Sequence, residues 1–309
     1  MYSPKNPGIT RLLNIPISEI LPFIHWTFFF MAWRLNGKYD QLPIVFENAA
    51  HNAEWLGNFK GIEREKAHEA YKLYSDAQKF LQAFAEAKSV TVNAVVGIFK
   101  AASQADDIVV WNDKKKYIIP TLRQQQPATD GYCYALSDFL KPEDDCIGVF
   151  ANTIIGGEEM AAAFEKQDDV YNAILIKTLC DRLAEATSEW LHYKIRTEIW
   201  GYAPNEVLDV SEMFKTHYQG IRPAVGYPSL PDQSIIFTLD KLIDYSSLGI
   251  HLTENGAMYP NASVTGLVFD HPKSKYFNIG KIDEQQFADY AQRSAKTPQE
   301  MRKWLAANF

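Results

Sequence analysis

Cysteine is scarce in this 309-residue chain, and the three that occur, Cys133, Cys146 and Cys180, are odd in number and widely spaced. No CxxC pair and no Cys/His zinc spacing is present. Neither a disulfide framework nor a metal centre is indicated, and the usage fits a reducing, cytoplasmic setting. Long apolar runs are also lacking. The most apolar stretch, residues 20–33, contains His25 and Thr27 and has no small-residue cleavage site after it. It is too short to cross a bilayer, so neither a membrane span nor a signal peptide is expected. Positive charge is in deficit, with 31 Lys and Arg against 38 Asp and Glu and a net charge of −7. That balance argues against a nucleic-acid partner, which would want a basic stripe. The basic run Lys114-Lys115-Lys116 follows Asn112-Asp113 between two apolar stretches and reads as a hairpin tip. A GxGxxG after a strand, a GxxxxGK[ST] and a GxSxG are all missing, which removes support for a dinucleotide fold, a P-loop and a serine hydrolase.

What is present describes an ordinary globular chain, 47% hydrophobic and 22% charged. Residues 1–17 hold three prolines and few periodic positions, so an irregular arm is expected there. Ser18 is placed to cap a first helix, and the aromatic-rich second turn stops at Asn36-Gly37. Residues 62–88 carry Ala67, Ala70, Tyr74, Ala77, Leu81 and Phe84 at three- and four-residue intervals, the period of one long amphipathic helix. The period then shortens. Residues 89–99, 107–111, 117–122, 146–155 and 263–269 read as strands, with the segment 275–282 completing a late hairpin. Residues 158–200 are helical in two pieces, the second burying Ile176, Leu179, Leu183, Ala186 and Trp190. Asp232, Asp283 and Thr297 are placed to cap later helices. Strands cluster in two blocks between long helices. The expected fold is α+β, a twisted antiparallel sheet with long flanking helices, in one domain over 18–309.

Two features carry candidate chemistry. The stretch Arg222-Pro223-Ala224-Val225-Gly226-Tyr227-Pro228-Ser229-Leu230-Pro231-Asp232 is held stiff by three prolines and shaped by Gly226. It serves equally as a rigid connector or as a ligand loop whose Arg222 fork receives a carboxylate or phosphate. On the helix before it, Asp181, Glu185, Ser188 and His192 share one face. Such a stripe is ordinarily a solvent face. It gains meaning if the Arg222 loop packs over it, because carboxylates beside a guanidinium bind a zwitterion. Glu65-x-x-His68 and Glu189-x-x-His192 repeat a di-iron carboxylate spacing, but the strand content does not suit the four-helix bundle that such a centre needs.

Several motifs in a fixed order resemble one family. Arg222 to Pro228 with Pro231-Asp232 is similar to the RPAxGYPxxPD signature of the activation domain of cobalamin-dependent methionine synthase. The resemblance continues in His25-Trp26-Thr27-Phe28-Phe29-Phe30-Met31-Ala32-Trp33, in Val96-Gly97-Ile98-Phe99 with Asp106-Asp107-Ile108, and in Leu122-Arg123-Gln124-Gln125. Asp181-Arg182-Leu183-Ala184-Glu185-Ala186, Trp200-Gly201-Tyr202-Ala203-Pro204-Asn205-Glu206, Ala262-Ser263-Val264-Thr265-Gly266 and His271-Pro272-Lys273-Ser274-Lys275-Tyr276 complete it. It runs from about residue 18 to the C-terminus.

The resemblance implies an activation-domain fold that binds S-adenosyl-L-methionine as methyl donor, so that inactive cob(II)alamin is returned to methylcobalamin. It implies two partners, a cobalamin-binding domain or subunit of methionine synthase and a flavodoxin-type electron donor. It implies that Arg222 pairs with the ligand carboxylate, that the backbone from Ala224 to Gly226 and Tyr227 approach the adenosine, and that Tyr276, Phe277 and Glu185 lie at the site. Phe277 stands where the family commonly has a second tyrosine, and His25 where it commonly has an aspartate for the ammonium group. No DxHxxG cobalamin-ligand sequence occurs, and the family-like region opens near residue 18, so cobalamin is expected in trans on a separate protein. No catalytic side chain and no metal ligand is assigned. The chain is expected to act as a component of the methyltransferase rather than alone. Because of His25, the alternative expectations are a non-catalytic module that docks on a corrinoid protein without the ligand, or a reactivase of a different corrinoid methyltransferase.

Overall fold

The computed structural model describes residues 3–37, 39, 41–46, 49–207 and 209–309. In chain order it contains β1 (Gly8–Ile15), α1 (Ile17–Ile20), α2 (Trp26–Ala32), α3 (Leu42–Phe46), α4 (Ala49–Gly57) and α5 (Ile62–Ala87). Then follow β2 (Thr91–Gln104), β3 (Asp107–Asn112), β4 (Lys115–Pro120), β5 (Asp145–Ile155), α6 (Gly157–Glu165) and α7 (Val170–Lys194). The last part holds α8 (Val210–Met213), α9 (Ile236–Ile243), β6 (His251–Leu252), β7 (Met258–Tyr259), β8 (Ser263–Val268), α10 (Glu284–Arg293) and α11 (Pro298–Trp304).

The sheet runs β4-β3-β2-β5-β8, with β1 also paired to β2. The pairs β2–β3, β3–β4 and β5–β8 are antiparallel, as an α+β chain with clustered strands requires. Asp113-Lys114 turns β3 into β4, which puts the lysine run at the hairpin tip. Along β2 the residues Ala94–Phe99 are almost continuously buried, the pattern of a strand covered on both faces.

Two expectations are corrected here. The irregular arm expected over 1–17 is not what its described residues form, because Gly8–Ile15 make β1. Pro4 and Pro7 precede this strand and Pro16 follows it, so the three prolines flank an uninterrupted extended segment. Residues 275–282 form no strand. Their backbone is tied instead to the proline-rich loop, with the Ile279 N–H donating to the Pro228 carbonyl at 3.0 Å. A smaller difference lies at α1, which begins at Ile17 after Pro16, with no side-chain cap from Ser18.

One domain over 18–309 was expected because no linker is evident. The backbone divides into two compact units. The first comprises Met1–Leu13, Ala94–Thr153 and Ser188–Phe309, and the second Asn14–Asn93 and Ile154–Thr187. In the first unit, Val95, Ile108, Val110, Ile119, Ile147 and Val149 of the sheet form one core with Leu239, Leu242 and Ile243 of α9 and with Leu267 and Phe269. A satellite core joins Leu122, Ile279 and Ile282 to Phe287, Tyr290, Met301 and Leu305. In the second unit, α5 buries Ala67, Ala70, Leu73, Tyr74, Ala77, Leu81 and Phe84, the stripe its periodicity specifies. The Trp26 ring packs on Tyr74 at 4.5 Å. Among the described residues no helix is long and apolar enough to cross a membrane.

Candidate functional site

The proline-rich loop is laid against β8. The Ile221 N–H donates to the Phe269 carbonyl and the Phe269 N–H returns a bond to Ile221, at 3.1 and 2.9 Å. The Leu267 N–H donates to Pro223 at 3.0 Å, and the Val225 N–H donates to Thr265 at 2.9 Å. Residues 221–225 therefore complete the sheet edge without forming a regular strand. Pro223 is compatible with this place because an edge position does not need its missing N–H. Gly266 on β8 makes the close approach possible. A Cβ there would lie 2.3 Å from the Pro223 carbonyl oxygen.

Beyond the edge the chain turns sharply. Gly226 has φ of +87°, where a side chain is strained, and its N–H donates to the Leu230 carbonyl at 2.8 Å. The N–H groups of Val225 and Gly226 are thus both engaged within the protein. What Ala224 to Gly226 offer a ligand is a close, small-residue surface and carbonyl oxygens. The far end is locked by Asp232, which is 2% exposed. Its carboxylate accepts from the Ser234 N–H at 2.8 Å and from the Tyr290 hydroxyl at 2.9 Å. The Ser229 hydroxyl bonds the Phe277 carbonyl, and the Phe277 N–H donates back to it at 3.2 Å.

Arg222 stands at the head of this loop. Its guanidinium donates to Glu189 on α7, and its backbone N–H donates to the Tyr276 hydroxyl at 3.0 Å. Both members of the ion pair are largely buried, with side chains 12% and 20% exposed. The Tyr218 phenol lies beside this group, and burial, with the Tyr276 phenol and the Glu189 carboxylate near it, keeps it protonated.

A second arginine supports the first. After Lys194 the helix widens into a π-helical turn, Ile195–Ile199, a local form often found at functional sites. It carries Arg196, whose side chain is fully buried. Glu206 receives its guanidinium bidentately at 2.7 and 2.5 Å. The guanidinium also lies 4.3 Å above the Tyr218 ring. His192, expected on a solvent face, is 1% exposed, and Ser188 is buried as well. The His192 Nε2 meets the Tyr202 hydroxyl at 3.3 Å, and its ring meets Tyr218 edge-on at 5.0 Å.

Burial, with the cations Arg196 and Arg222 nearby, holds the His192 imidazole well below its usual value of 6.5. The unfolded chain therefore takes up this proton first as pH falls. Stability from the neutral imidazole is complete above about pH 6.5 and is lost below it. Thermal melts should show the midpoint falling between about pH 7.5 and about pH 5.5, and the fall should be smaller in His192→Gln. Equal pH dependence in the two proteins would exclude His192 as its source.

The residues expected at the site divide between the two units. Arg222, Ala224, Gly226, Tyr227, Tyr276 and Phe277 are gathered in the first unit, on the loop and the segment bonded to it. Tyr227 and Tyr276 are half exposed, whereas Phe277 packs with Tyr134 and Phe139. His25 and Glu185 belong to the second unit. There His25 is half-buried at the start of α2 with its ring 4.6 Å from Phe28, and Glu185 is half-buried on α7. The partner of Arg222 was missed. Glu189 lies one helical turn after Glu185, on the same face, and the Glu189-x-x-His192 spacing had drawn notice only as a metal pattern. Among the described residues no group of three His, Cys, Asp or Glu side chains is arranged to hold a metal ion.

Residues 16–295 match the family described as vitamin B12 dependent methionine synthase, activation domain. Among solved structures, one described as the crystal structure of the MetH reactivation domain bound to AdoHcy is similar to this chain. The TM-score is 0.88 and the identity 37%, with 99% of this chain and 92% of that chain covered.

Proposed function

Because this chain belongs to the activation-domain family of vitamin B12 dependent methionine synthase, we propose that it binds S-adenosylmethionine on the Arg222 loop and serves the reductive reactivation of that enzyme's cobalamin. The observation that carries the reading is the preserved cradle. A buried arginine heads a loop pinned to β8, a left-handed glycine turns it, and Tyr276 closes on the Arg222 backbone. The bound state of the similar solved structure supports the ligand class.

The residues present fit such a ligand. Arg222 provides the planar fork for an α-carboxylate. The small residues Ala224 and Gly226 let a nucleoside approach the backbone, and the half-exposed Tyr227 and Tyr276 give it aromatic and hydroxyl contacts. When bound, S-adenosylmethionine supplies the methyl group that restores methylcobalamin, with one electron from a flavodoxin-type donor. The contribution of the chain is to hold the donor in one orientation and to place it against the corrin. The cobalamin is carried outside these 309 residues, which contain no DxHxxG sequence, and the encounter takes place in the cytoplasm.

Calorimetry with S-adenosylmethionine tests the reading directly. Saturable binding is expected from the unmodified chain, with S-adenosylhomocysteine competing for the same site. Absence of binding at millimolar ligand would reject it in favour of a docking module.

A further inference from the structure

We propose that Glu189 is the acid that receives the ammonium group of the ligand's amino-acid end, so that Arg222 and Glu189 together recognise a zwitterion. The inference rests on the reading of the Arg222 loop as an S-adenosylmethionine site, and it gives the ligand's ammonium an acid although the family's usual aspartate is His25 in this chain.

The Glu189 carboxylate is only half used. Its Oε1 accepts from the Arg222 guanidinium, whereas its Oε2 is buried with no hydrogen-bond partner. A buried carboxylate oxygen without a donor is costly to hold, and folded proteins rarely keep one where nothing binds. Three other acids of this unit have both carboxylate oxygens engaged. Glu206 has both oxygens on Arg196, Asp232 has one on Ser234 and one on Tyr290, and Asp145 accepts from the N–H groups of Lys141 and Cys146. His192 does not substitute for an acid, since its Nε2 meets Tyr202 and its burial keeps it neutral.

The charge pattern matches the ligand. Arg222 and Glu189 side by side form a dipole. A zwitterionic α-amino acid group is a dipole as well. Laid against the pair in reverse, its carboxylate meets the guanidinium and its ammonium meets Oε2. The four charges then alternate, and the pair and the ligand's amino-acid end are each neutral overall. The arginine has five N–H donors, so bonding to Glu189 does not exclude a ligand carboxylate. A nucleoside without the amino-acid end cannot complete the pattern, which makes Glu189 a specificity determinant.

Three ligands separate this role from a merely positioning one. S-adenosylmethionine carries both charges, decarboxylated S-adenosylmethionine keeps only the ammonium, and methylthioadenosine lacks the amino-acid end. In calorimetry, Glu189→Gln is expected to weaken the first two alike, by about 10- to 100-fold, and to leave methylthioadenosine unchanged. If Glu189 only orients Arg222, the loss appears with S-adenosylmethionine and not with the decarboxylated ligand, and the proposal is overturned. Unchanged binding of both overturns it as well. No binding of any of the three to the unmodified chain rejects the underlying site and the proposal with it. Should Glu189→Gln not fold, Glu189→Asp keeps the charge but withdraws it by one methylene. It is expected to weaken both ammonium-bearing ligands several-fold, and indifference of the decarboxylated ligand overturns the proposal.

Discussion

Glu206→Ala is expected to destabilise the protein by about 3–5 kcal/mol in denaturant titrations, the usual cost of removing one partner from a buried ion pair. Arg196 is fully buried within the π-helical turn, and Glu206 is its bidentate acceptor. Alanine would leave a permanent cation with a facing aromatic ring and no carboxylate. A guanidinium cannot lose its proton to escape this cost. Glu206→Gln should fall between, because its amide oxygen still accepts one bond from a guanidinium N–H while its amide NH2 faces the cation with the wrong polarity. The effect should also reach the ligand. Arg196 lies on the Tyr218 ring, and Tyr218 is hydrogen-bonded to Tyr276 and lies near the charges of Glu189 and Arg222. A loss below about 1 kcal/mol would mean that Arg196 reaches water in the variant, and the π-turn would then not depend on Glu206.

Arg222→Ala should lower S-adenosylmethionine affinity by about 100-fold or more, measured by calorimetry, with methylthioadenosine binding nearly preserved. Two terms act in the same direction. The charge-assisted bonds to the ligand carboxylate disappear, worth about 1.5–3 kcal/mol. The Glu189 carboxylate, on a side chain 20% exposed, is left without its cation and repels the incoming carboxylate. Arg222→Lys should recover only part of the loss, because an ammonium is a point charge that cannot address a carboxylate bidentately while holding Glu189. The loop itself should survive the alanine variant. It is held by backbone bonds to β8 and by Asp232, none of which uses the guanidinium. Equal affinity of Arg222→Ala and the unmodified chain for S-adenosylmethionine would remove Arg222 from the site.

Much of this molecule is legible in the chain because it is decided within a turn or two. The α5 stripe from Ala67 to Phe84 is buried where a 3.6-residue period places it. Ile176, Leu179, Leu183, Ala186 and Trp190 of α7 are buried as their spacing requires. Asp232, Asp283 and Thr297 cap the helical segments that follow them, each accepting a backbone N–H two or three residues on. The ordered motifs indicated the family, and three prolines with Gly226 identified a segment of fixed shape. These are local properties, or properties of order along the chain, and neither needs packing to be known.

The rest was settled by packing. Composition over residues 1–17 gave no sign of β1, because strand formation there depends on β2 being alongside, not on the prolines at its ends. The segment 275–282 has alternation enough for a strand, yet its neighbour is the proline-rich loop, which offers no regular ladder. The burial of His192 and Ser188 and the pairing of Arg196 with Glu206 depend on which helix face is covered. Spacing limits that choice without making it. The same holds for the loop's arginine. Three acids on one side of α7, Asp181, Glu185 and Glu189, are visible in the chain, but the one that meets Arg222 is 33 residues away in sequence. Helical periodicity places Glu185 and Glu189 within about 40° of each other, so it cannot choose between them. The choice comes from the height at which β8 fixes the loop, through the bonds that Pro223 and Val225 make across Gly266.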